Sequence, residues 1–132
     1  MKFTPSDPPR VFDVGHGEKK IRLKDCGRVE LDPDEQVTFT TPSGAEYDVA
    51  RKSWGFYATP SLNGRLQRFG LRGVLVKNQI EQYFLLLVER GQEAAFERYV
   101  VDERLTVVSW LDESGVLERL EARLQSPDEG DR

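Results

Sequence analysis

The sequence predicts an α+β fold, a mostly antiparallel sheet with two late amphipathic helices. Period-two alternation of apolar and polar residues recurs between residues 20 and 49 of the 132-residue chain, and further β-prone segments follow up to residue 89. Helical periodicity begins only after Gly91. Strands that precede the helices favour an antiparallel sheet over repeated βαβ units. A β-sandwich or barrel with appended helices is the alternative architecture.

Composition divides the chain into three regions. Residues 1–17 are rich in proline and show little periodicity, which predicts an irregular N-terminal arm. Residues 18–125 hold every predicted strand and helix, and their length suits a single α+β domain with one core. Residues 126–132 offer no apolar side chain to a core, so we expect them to form a polar, disordered tail.

The first predicted strands lie on either side of Cys26. Residues 20–24 and 28–31 both alternate apolar and charged side chains, which indicates two short strands around a turn or bulge. Residues 32–35 then place proline second in a run of acidic side chains. This composition predicts a turn, because proline fixes φ and aspartate accepts hydrogen bonds from the backbone that follows.

The clearest hairpin in the first half is formed by residues 37–40 and 45–49. Both segments alternate with period two, and the intervening residues 41–44 have an early proline and a final glycine. Residues 54–58 form a further β-prone segment. Residues 59–64 combine a proline with an Asn-Gly pair, so we expect a loop there.

A second hairpin is predicted from residues 71–77 and 82–89, joined by 78–81. The second arm is apolar on consecutive residues, a pattern typical of strands that are buried on both faces. We therefore expect residues 82–89 to form the central strand of the sheet.

The last part of the chain contains both predicted helices. Residues 92–103 are amphipathic, and the β-branched residues 105–111 predict a strand that returns to the sheet in the order β-β-α-β. A second helix follows, with Asp112 or Ser114 as its cap. Its apolar stripe consists of Val116, Leu117, Leu120 and Leu124. We expect the stripe to complete the monomer core; the alternative is the seam of a homodimer.

Composition also narrows the classes of function. The longest apolar run, residues 83–88, is far shorter than the ~20 residues that cross a bilayer, and the N-terminus lacks a signal-peptide core. We expect no membrane association and a cytoplasmic location. A single cysteine, Cys26, and a single histidine, His16, give no disulfide and no thiolate zinc site, so we expect no metal and no cofactor.

Enzyme motifs are absent from the sequence. It has no phosphate loop, dinucleotide-binding motif, nucleophile elbow or HExxH pattern. An enzymatic hypothesis would depend on Cys26 as a nucleophile or on Asp48 and Lys52 as an acid–base pair. We predict no catalytic residues and favour a binding domain.

Charge is unevenly distributed along the chain. The segment from residue 49 to residue 80 contains no Asp or Glu but six basic residues: Arg51, Lys52, Arg65, Arg68, Arg72 and Lys77. The chain carries a net charge of −4, so the remainder carries −10. Arginine binds phosphate and carboxylate oxygens in a bidentate manner, which makes this segment a candidate for binding an anion.

The candidate ligand-binding residues combine this charge with aromatic rings and a flexible loop. They are Lys52, Trp54, Tyr57, Asn63, Arg65 and Arg68. The alternative is a set of ordinary strands with solvated basic residues. Nucleic acid is not expected, because the chain is acidic, with a pI near 5.1, and would repel a long phosphate backbone.

Residues 51–66 (RKSWGFYATPSLNGRL) and 83–91 (YFLLLVERG) resemble a small uncharacterised bacterial protein family associated with gene clusters for nucleotide-sugar and surface-polysaccharide synthesis. The resemblance implies no catalytic residues. It implies a setting in which a basic, aromatic patch meets a nucleotide sugar, a phosphate-bearing intermediate or a pathway enzyme. We predict a non-catalytic binding or accessory domain for an anionic small molecule or a protein partner. The alternative is a small enzyme acting on a sugar or nucleotide-sugar intermediate.

Overall fold

The structure, a computed structural model, describes residues 1–16, 19–58 and 60–126. Within these ranges the chain forms three antiparallel sheets and three helices. None of the three sheets closes into a barrel, and the α+β prediction is confirmed. No helix in the described ranges has the length and apolar character needed to cross a bilayer.

The first sheet is a two-stranded ribbon of β1 (Lys2–His16) and β2 (Lys19–Glu30). The predicted irregular arm over residues 1–17 is therefore wrong for the part that forms β1. Each strand of a ribbon has a free edge, where proline, which lacks an N–H, is tolerated. The two short strands predicted around Cys26 are one continuous strand, β2. The irregularity predicted beside Cys26 is present, because Pro5 faces Gly27 and Arg10 faces Asp25, which places the register shift opposite Cys26.

The second sheet contains β3 (Gln36–Thr40), β4 (Glu46–Lys52) and β5 (Gly55–Tyr57), with β4 in the centre. The predicted hairpin is confirmed. The amide of Gly44 donates to the carbonyl of Thr41 at 2.9 Å, and Gly44 adopts a φ of +93°, which glycine tolerates best.

A short helix, α1 (Arg65–Arg68), follows this sheet in a segment that the sequence predicts only as the end of a loop. Its Leu66 is fully buried and forms a small core with Ala45 and Leu71. This core connects the second sheet to the third.

The third sheet contains β6 (Leu71–Lys77), β7 (Tyr83–Glu89) and β8 (Thr106–Trp110), and α2 (Glu93–Asp102) connects β7 to β8. The predicted β-β-α-β order is confirmed.

The central strand of this sheet is β6, not the predicted segment 82–89, because β7 and β8 pair with opposite edges of β6. The buried residues Val74 and Val76 of β6 form the core with Val88 and Phe96. The apolar run of β7 begins exposed: Tyr83 retains 59% of its accessible surface.

The last helix is α3 (Ser114–Gln125), and none of its residues is buried. The predicted role of its stripe in the monomer core is therefore wrong: Leu120 is 45% and Leu124 75% exposed. Glu113 occupies the N-cap position without a capping side-chain bond, so neither predicted cap forms. Asp112 is instead bound by Arg72. The predicted tail lies outside the described residues from position 127 onwards.

Candidate functional site

Ion pairs neutralise most of the basic segment. Lys52 Nζ lies 2.6 Å from Asp34 Oδ1, and a guanidinium nitrogen of Arg65 lies 2.8 Å from Asp48 Oδ2. Both carboxylates lie outside the basic segment of residues 49–80. These long-range contacts bring negative charge next to the basic residues, so the folded chain is less segregated in charge than the sequence.

The same holds for the two basic residues of β6. Arg72 binds Asp112 through Nε at 2.6 Å, and Lys77 Nζ lies 3.9 Å from Glu81. Arg51 and Arg68 are the two basic residues of the segment that have no carboxylate partner within the described part of the chain.

The six predicted ligand-binding residues occupy separate environments. Trp54 is 70% exposed in the turn before β5, and Tyr57 and Arg68 are also exposed. The side-chain amide of Asn63 donates to Ser114 Oγ at 3.1 Å. Four of the cavities in the described ranges are lined entirely by other residues. Their role in ligand binding stays a prediction.

Asp48 belongs to a structural network around Arg65. Thr38 Oγ1 donates to Asp48 Oδ1 at 2.8 Å, and Arg65 Nε donates to Asp48 Oδ2 at 2.9 Å. The hydrogen bond from Thr38, followed by the bond from Arg65, lowers the pKa of Asp48. The guanidinium of Arg65 also lies over the ring of Phe69, 4.6 Å from its centroid.

The hypothetical catalytic groups are therefore not assembled as the enzymatic hypothesis requires. Asp48 binds Thr38 and Arg65, whereas Lys52 binds Asp34, so these two residues form no acid–base pair. Cys26 is exposed, and its thiol contacts the carbonyl of Lys24 at 3.6 Å. The side chain of His16 lies outside the described part.

A cavity of about 410 Å³ lies where the base of the ribbon meets the second sheet; we call it the basic cavity. It is lined by Lys2, Thr4, Arg28, Val29, Glu30, Leu31, Arg51 and Phe56. Its volume falls within the range of small-molecule sites, roughly 300–1,000 Å³.

Strand register places these residues around one space. Thr4 lies opposite Arg28 in the ribbon, and Arg51 lies opposite Phe56 in the second sheet. Directly opposite residues in antiparallel strands share a face, so each pair projects its side chains to the same side of its sheet.

Backbone hydrogen bonds attach the turn that follows the ribbon to β4. The amide of Asp34 donates to the carbonyl of Arg51 at 2.7 Å, and the amide of Arg51 donates to the carbonyl of Glu35 at 2.8 Å. The amino group of Met1 lies 2.8 Å from Glu35 Oε1, which brings the start of β1 to the same place.

Positive charge in the basic cavity is only partly balanced. Lys2, Arg28 and Arg51 form no ion pair with any described carboxylate, although Glu30 also lines the cavity. Arg51 donates to the carbonyl oxygens of Leu31 at 2.8 Å and Lys52 at 3.0 Å, which orients its guanidinium without neutralising it. The lining therefore carries three cations and one carboxylate.

The sequence analysis included Arg51 in the basic segment but missed Lys2 and Arg28. Both belong to β1 or β2, where an alternating cation normally indicates a solvated face. No local motif marks them, because their grouping depends on how the ribbon meets β4.

The chemistry of this lining suits an anion that also carries an apolar or aromatic part. Guanidinium groups bind phosphate or carboxylate oxygens, and the exposed ring of Phe56 offers a stacking surface. Among the described residues, no group of three or more His, Cys, Asp or Glu could hold a metal ion. No family model, curated protein or solved structure matches this chain.

Proposed function

We propose that this protein is a non-catalytic binding domain whose basic cavity takes an anionic small molecule, with a nucleotide sugar as the first class to test. The observation that carries the proposal is the grouping of Lys2, Arg28 and Arg51, none with a carboxylate partner, around one cavity of about 410 Å³.

Uncompensated like charges are unfavourable when they are held close together, and an anion between them relieves the repulsion. The other basic residues of β4, α1 and β6, namely Lys52, Arg65, Arg72 and Lys77, already have carboxylate partners. The basic cavity is thus a place where the described chain offers cations without such partners.

Phosphate groups suit this arrangement better than a single carboxylate does. Arg28 provides a planar fork of donors, Arg51 offers the N–H groups that do not bind Leu31 and Lys52, and Lys2 adds an ammonium group that acts as a point charge. A diphosphate presents several acceptor oxygens to such a set. Phe56 then supports stacking of a base or a sugar ring.

The choice of a nucleotide sugar depends on the resemblance of residues 51–66 to proteins of nucleotide-sugar gene clusters. That segment contains both Arg51 and Phe56, which line the basic cavity. A polymeric nucleic acid is a poorer fit, because the chain as a whole carries a net charge of −4.

Calorimetric titration with UDP-, GDP- and CMP-sugars tests the proposal. We expect at least one of them to bind the wild type. Arg28→Gln should weaken binding by about 10-fold to 100-fold, because a hydrogen bond to a charged group contributes about 1.5–3 kcal/mol. Arg68→Gln is the matched control, since Arg68 has no carboxylate partner in the described part and does not line the cavity.

Two results would contradict the proposal. The first is a wild type that binds none of these compounds. The second is binding that Arg28→Gln leaves intact while Arg68→Gln or Arg65→Ala abolishes it. The second result would move the site to the residues predicted from the sequence.

A further inference from the structure

The accessible surface of this chain is large for its mass. The chain of 15.1 kDa exposes 9,873 Å², whereas a compact monomer of that mass exposes about 7,100 Å². The nine residues outside the described ranges can add at most about 1,400 Å² at the unfolded value of about 160 Å² each. More than about 1,000 Å² of excess surface therefore belongs to the described part.

Part of this excess lies on the outer half of the ribbon. Phe12 pairs with Leu23 and Val14 pairs with Ile21, so these four side chains share one face, which we call the ribbon face. Each of the four is between 37% and 43% exposed. The opposite face carries the ion pair between Arg22 and Asp13 at 3.5 Å, and the ribbon face is bounded by the ion pair between Arg10 and Asp25 at 3.1 Å.

Such alternation is typical of a sheet with one face packed on a core and one face in water. In the described part of the chain, however, each of these four side chains keeps more than a third of its surface exposed, so the ribbon face is not buried under another layer. An isolated two-stranded ribbon is marginally stable in water. The ribbon face therefore lacks the layer that its sequence pattern requires.

A second unpartnered apolar surface lies on α3. Leu117, Leu120 and Leu124 fall on one side of the helix at spacings of three and four residues, and none of them is buried. Leu120 and Leu124 remain 45% and 75% exposed, so no other described element covers this end of the stripe. A 12-residue helix of this kind needs tertiary packing to persist.

The two surfaces match in shape. Two paired strands cover a width of about 10 Å, which is also the diameter of an α-helix. The rows Phe12/Leu23 and Val14/Ile21 lie about 7 Å apart along the strands, and the stripe from Leu117 to Leu124 extends about 10 Å. A helix laid on a sheet is a standard two-layer arrangement.

The helix and the ribbon of one chain are anchored at different places. The amide of Leu111, just before α3, donates to the carbonyl of Gly73 in the third sheet. The ribbon is joined to the second sheet through residues 32–35 and Arg51. Within one chain the apolar side chains of both surfaces stay exposed, so neither surface buries the other, and a second copy would offer a partner to both.

We infer that the protein forms a two-fold dimer in which α3 of each copy covers the ribbon face of the other copy. Each copy contributes one helix and one ribbon face. Both contacts are therefore made within a pair of subunits, and no further copies are added. A homodimer interface at the lower end of the stable range buries about 2,000 Å² in total, or about 1,000 Å² per chain, and the excess surface of the described part is large enough to supply it.

Mixed cross-linking tests the pairing of the two surfaces directly. In a Cys26→Ser background, Leu23→Cys is placed in one chain and Leu120→Cys in a chain of different mass. The two are unfolded together, refolded and mildly oxidised. We expect a mixed disulfide between the two chains, with Gln92→Cys replacing Leu120→Cys as a negative control on an exposed site outside both surfaces.

A second measurement keeps the inference testable if oxidation perturbs the fold. In light scattering, Leu120→Glu should raise the dimer dissociation constant by about 100-fold or more, because it buries a charge at the seam. Ala122→Glu adds the same charge on the opposite side of α3 and should leave the dimer intact. Circular dichroism checks that both variants stay folded.

Three outcomes would overturn the inference. One is a wild type that is monomeric at 100 μM or above. Another is Leu23→Cys cross-linking only to itself, which would mean that two ribbon faces meet. The third comes from the double variant Leu23→Cys/Leu120→Cys, if its disulfide forms within one chain and never between two.

Discussion

At the scale of single residues, Arg72 forms the densest set of contacts in the described chain. Its Nε lies 2.6 Å from Asp112 Oδ2, and another guanidinium nitrogen lies 3.3 Å from Glu93 Oε2. The guanidinium also sits 4.0 Å from the ring centroid of Trp110. One side chain thus ties β6 to β8, α2 and the segment before α3.

Removing this guanidinium should be costly, because the side chain of Asp112 is only 4% exposed and would remain as an unpaired buried charge. We expect Arg72→Met to lower the free energy of unfolding by about 3–5 kcal/mol in urea titrations. Arg68→Met, at an exposed site, should change it by less than about 0.5 kcal/mol.

The double variant Arg72→Met/Asp112→Asn separates the charge effect from lost packing. It should recover part of the loss, since the neutral amide no longer needs a cation. No recovery would mean that Arg72 acts mainly through its contact with Trp110.

Two buried carboxylates make stability depend on acid pH. The hydrogen bond from Arg72 lowers the pKa of Asp112, and the hydrogen bond from Thr38, followed by Arg65, lowers the pKa of Asp48. Such a carboxylate has a lower pKa in the folded protein than in the unfolded chain. Its contribution to stability is complete at pH values above the unfolded-state pKa, and it is lost as the pH falls through the folded-state pKa.

We therefore expect the free energy of unfolding to stay nearly constant from pH 7 to about pH 4. It should decrease as the pH drops below 3.8, the ordinary pKa of aspartate. Asp112→Asn should flatten this dependence, as measured by denaturant titrations at pH 5, 4 and 3. Equal slopes for the variant and the wild type would show that Asp112 does not contribute.

At the scale of elements, the third sheet and α2 form the larger of two small cores. Phe96 of α2 packs edge-on against Trp110 of β8, with ring centroids 5.6 Å apart, and it covers Val74 and Val76 of β6. The strand β7 adds Val88 to this core but leaves Tyr83 at its exposed end.

This difference between core and edge predicts different costs for two aromatic truncations. Phe96→Ala should lower the free energy of unfolding by about 3–5 kcal/mol, because it leaves a cavity. Tyr83→Ala should cost less than about 1 kcal/mol, since the side chain is mostly in water. Similar losses in urea titrations would mean that β7 is covered on both sides, as the sequence alone suggested.

At the scale of the whole molecule, three sheets share little core, and each leaves apolar side chains exposed. If the second copy completes the fold, folding and dimerisation are coupled. The melting temperature should then rise with protein concentration, by several degrees between 5 and 500 μM. Leu120→Glu should show no such dependence; scanning calorimetry distinguishes the two cases.

The unbalanced charge at the basic cavity gives a second prediction at this scale. Inorganic pyrophosphate should raise the melting temperature of the wild type more than sodium chloride does at equal ionic strength, because a ligand that binds only the folded state stabilises it. Arg28→Gln should lose most of this increase, whereas Arg68→Gln should retain it. Equal increases in melting temperature for both variants would indicate nonspecific screening of surface charge.

Local sequence determined most of the individual elements. The hairpin turn ending in Gly44, the alternation in β3 and β4, and the periodicity of α2 and α3 all follow from interactions between near neighbours in the chain. Such signals depend on φ preferences and on the period of the side chains, which a short window already contains. The α+β class follows from their order.

Tertiary structure decided what surrounds each element. Residues far apart in sequence determine that β6 is central, that Asp48 binds Arg65, and that Lys2, Arg28 and Arg51 line one cavity. The sequence marked cations but not their partners, because an ion pair between positions 48 and 65 leaves no local pattern. Charge along the chain is therefore a poor guide to charge in space, where only the folded contacts determine which cations remain available to a ligand.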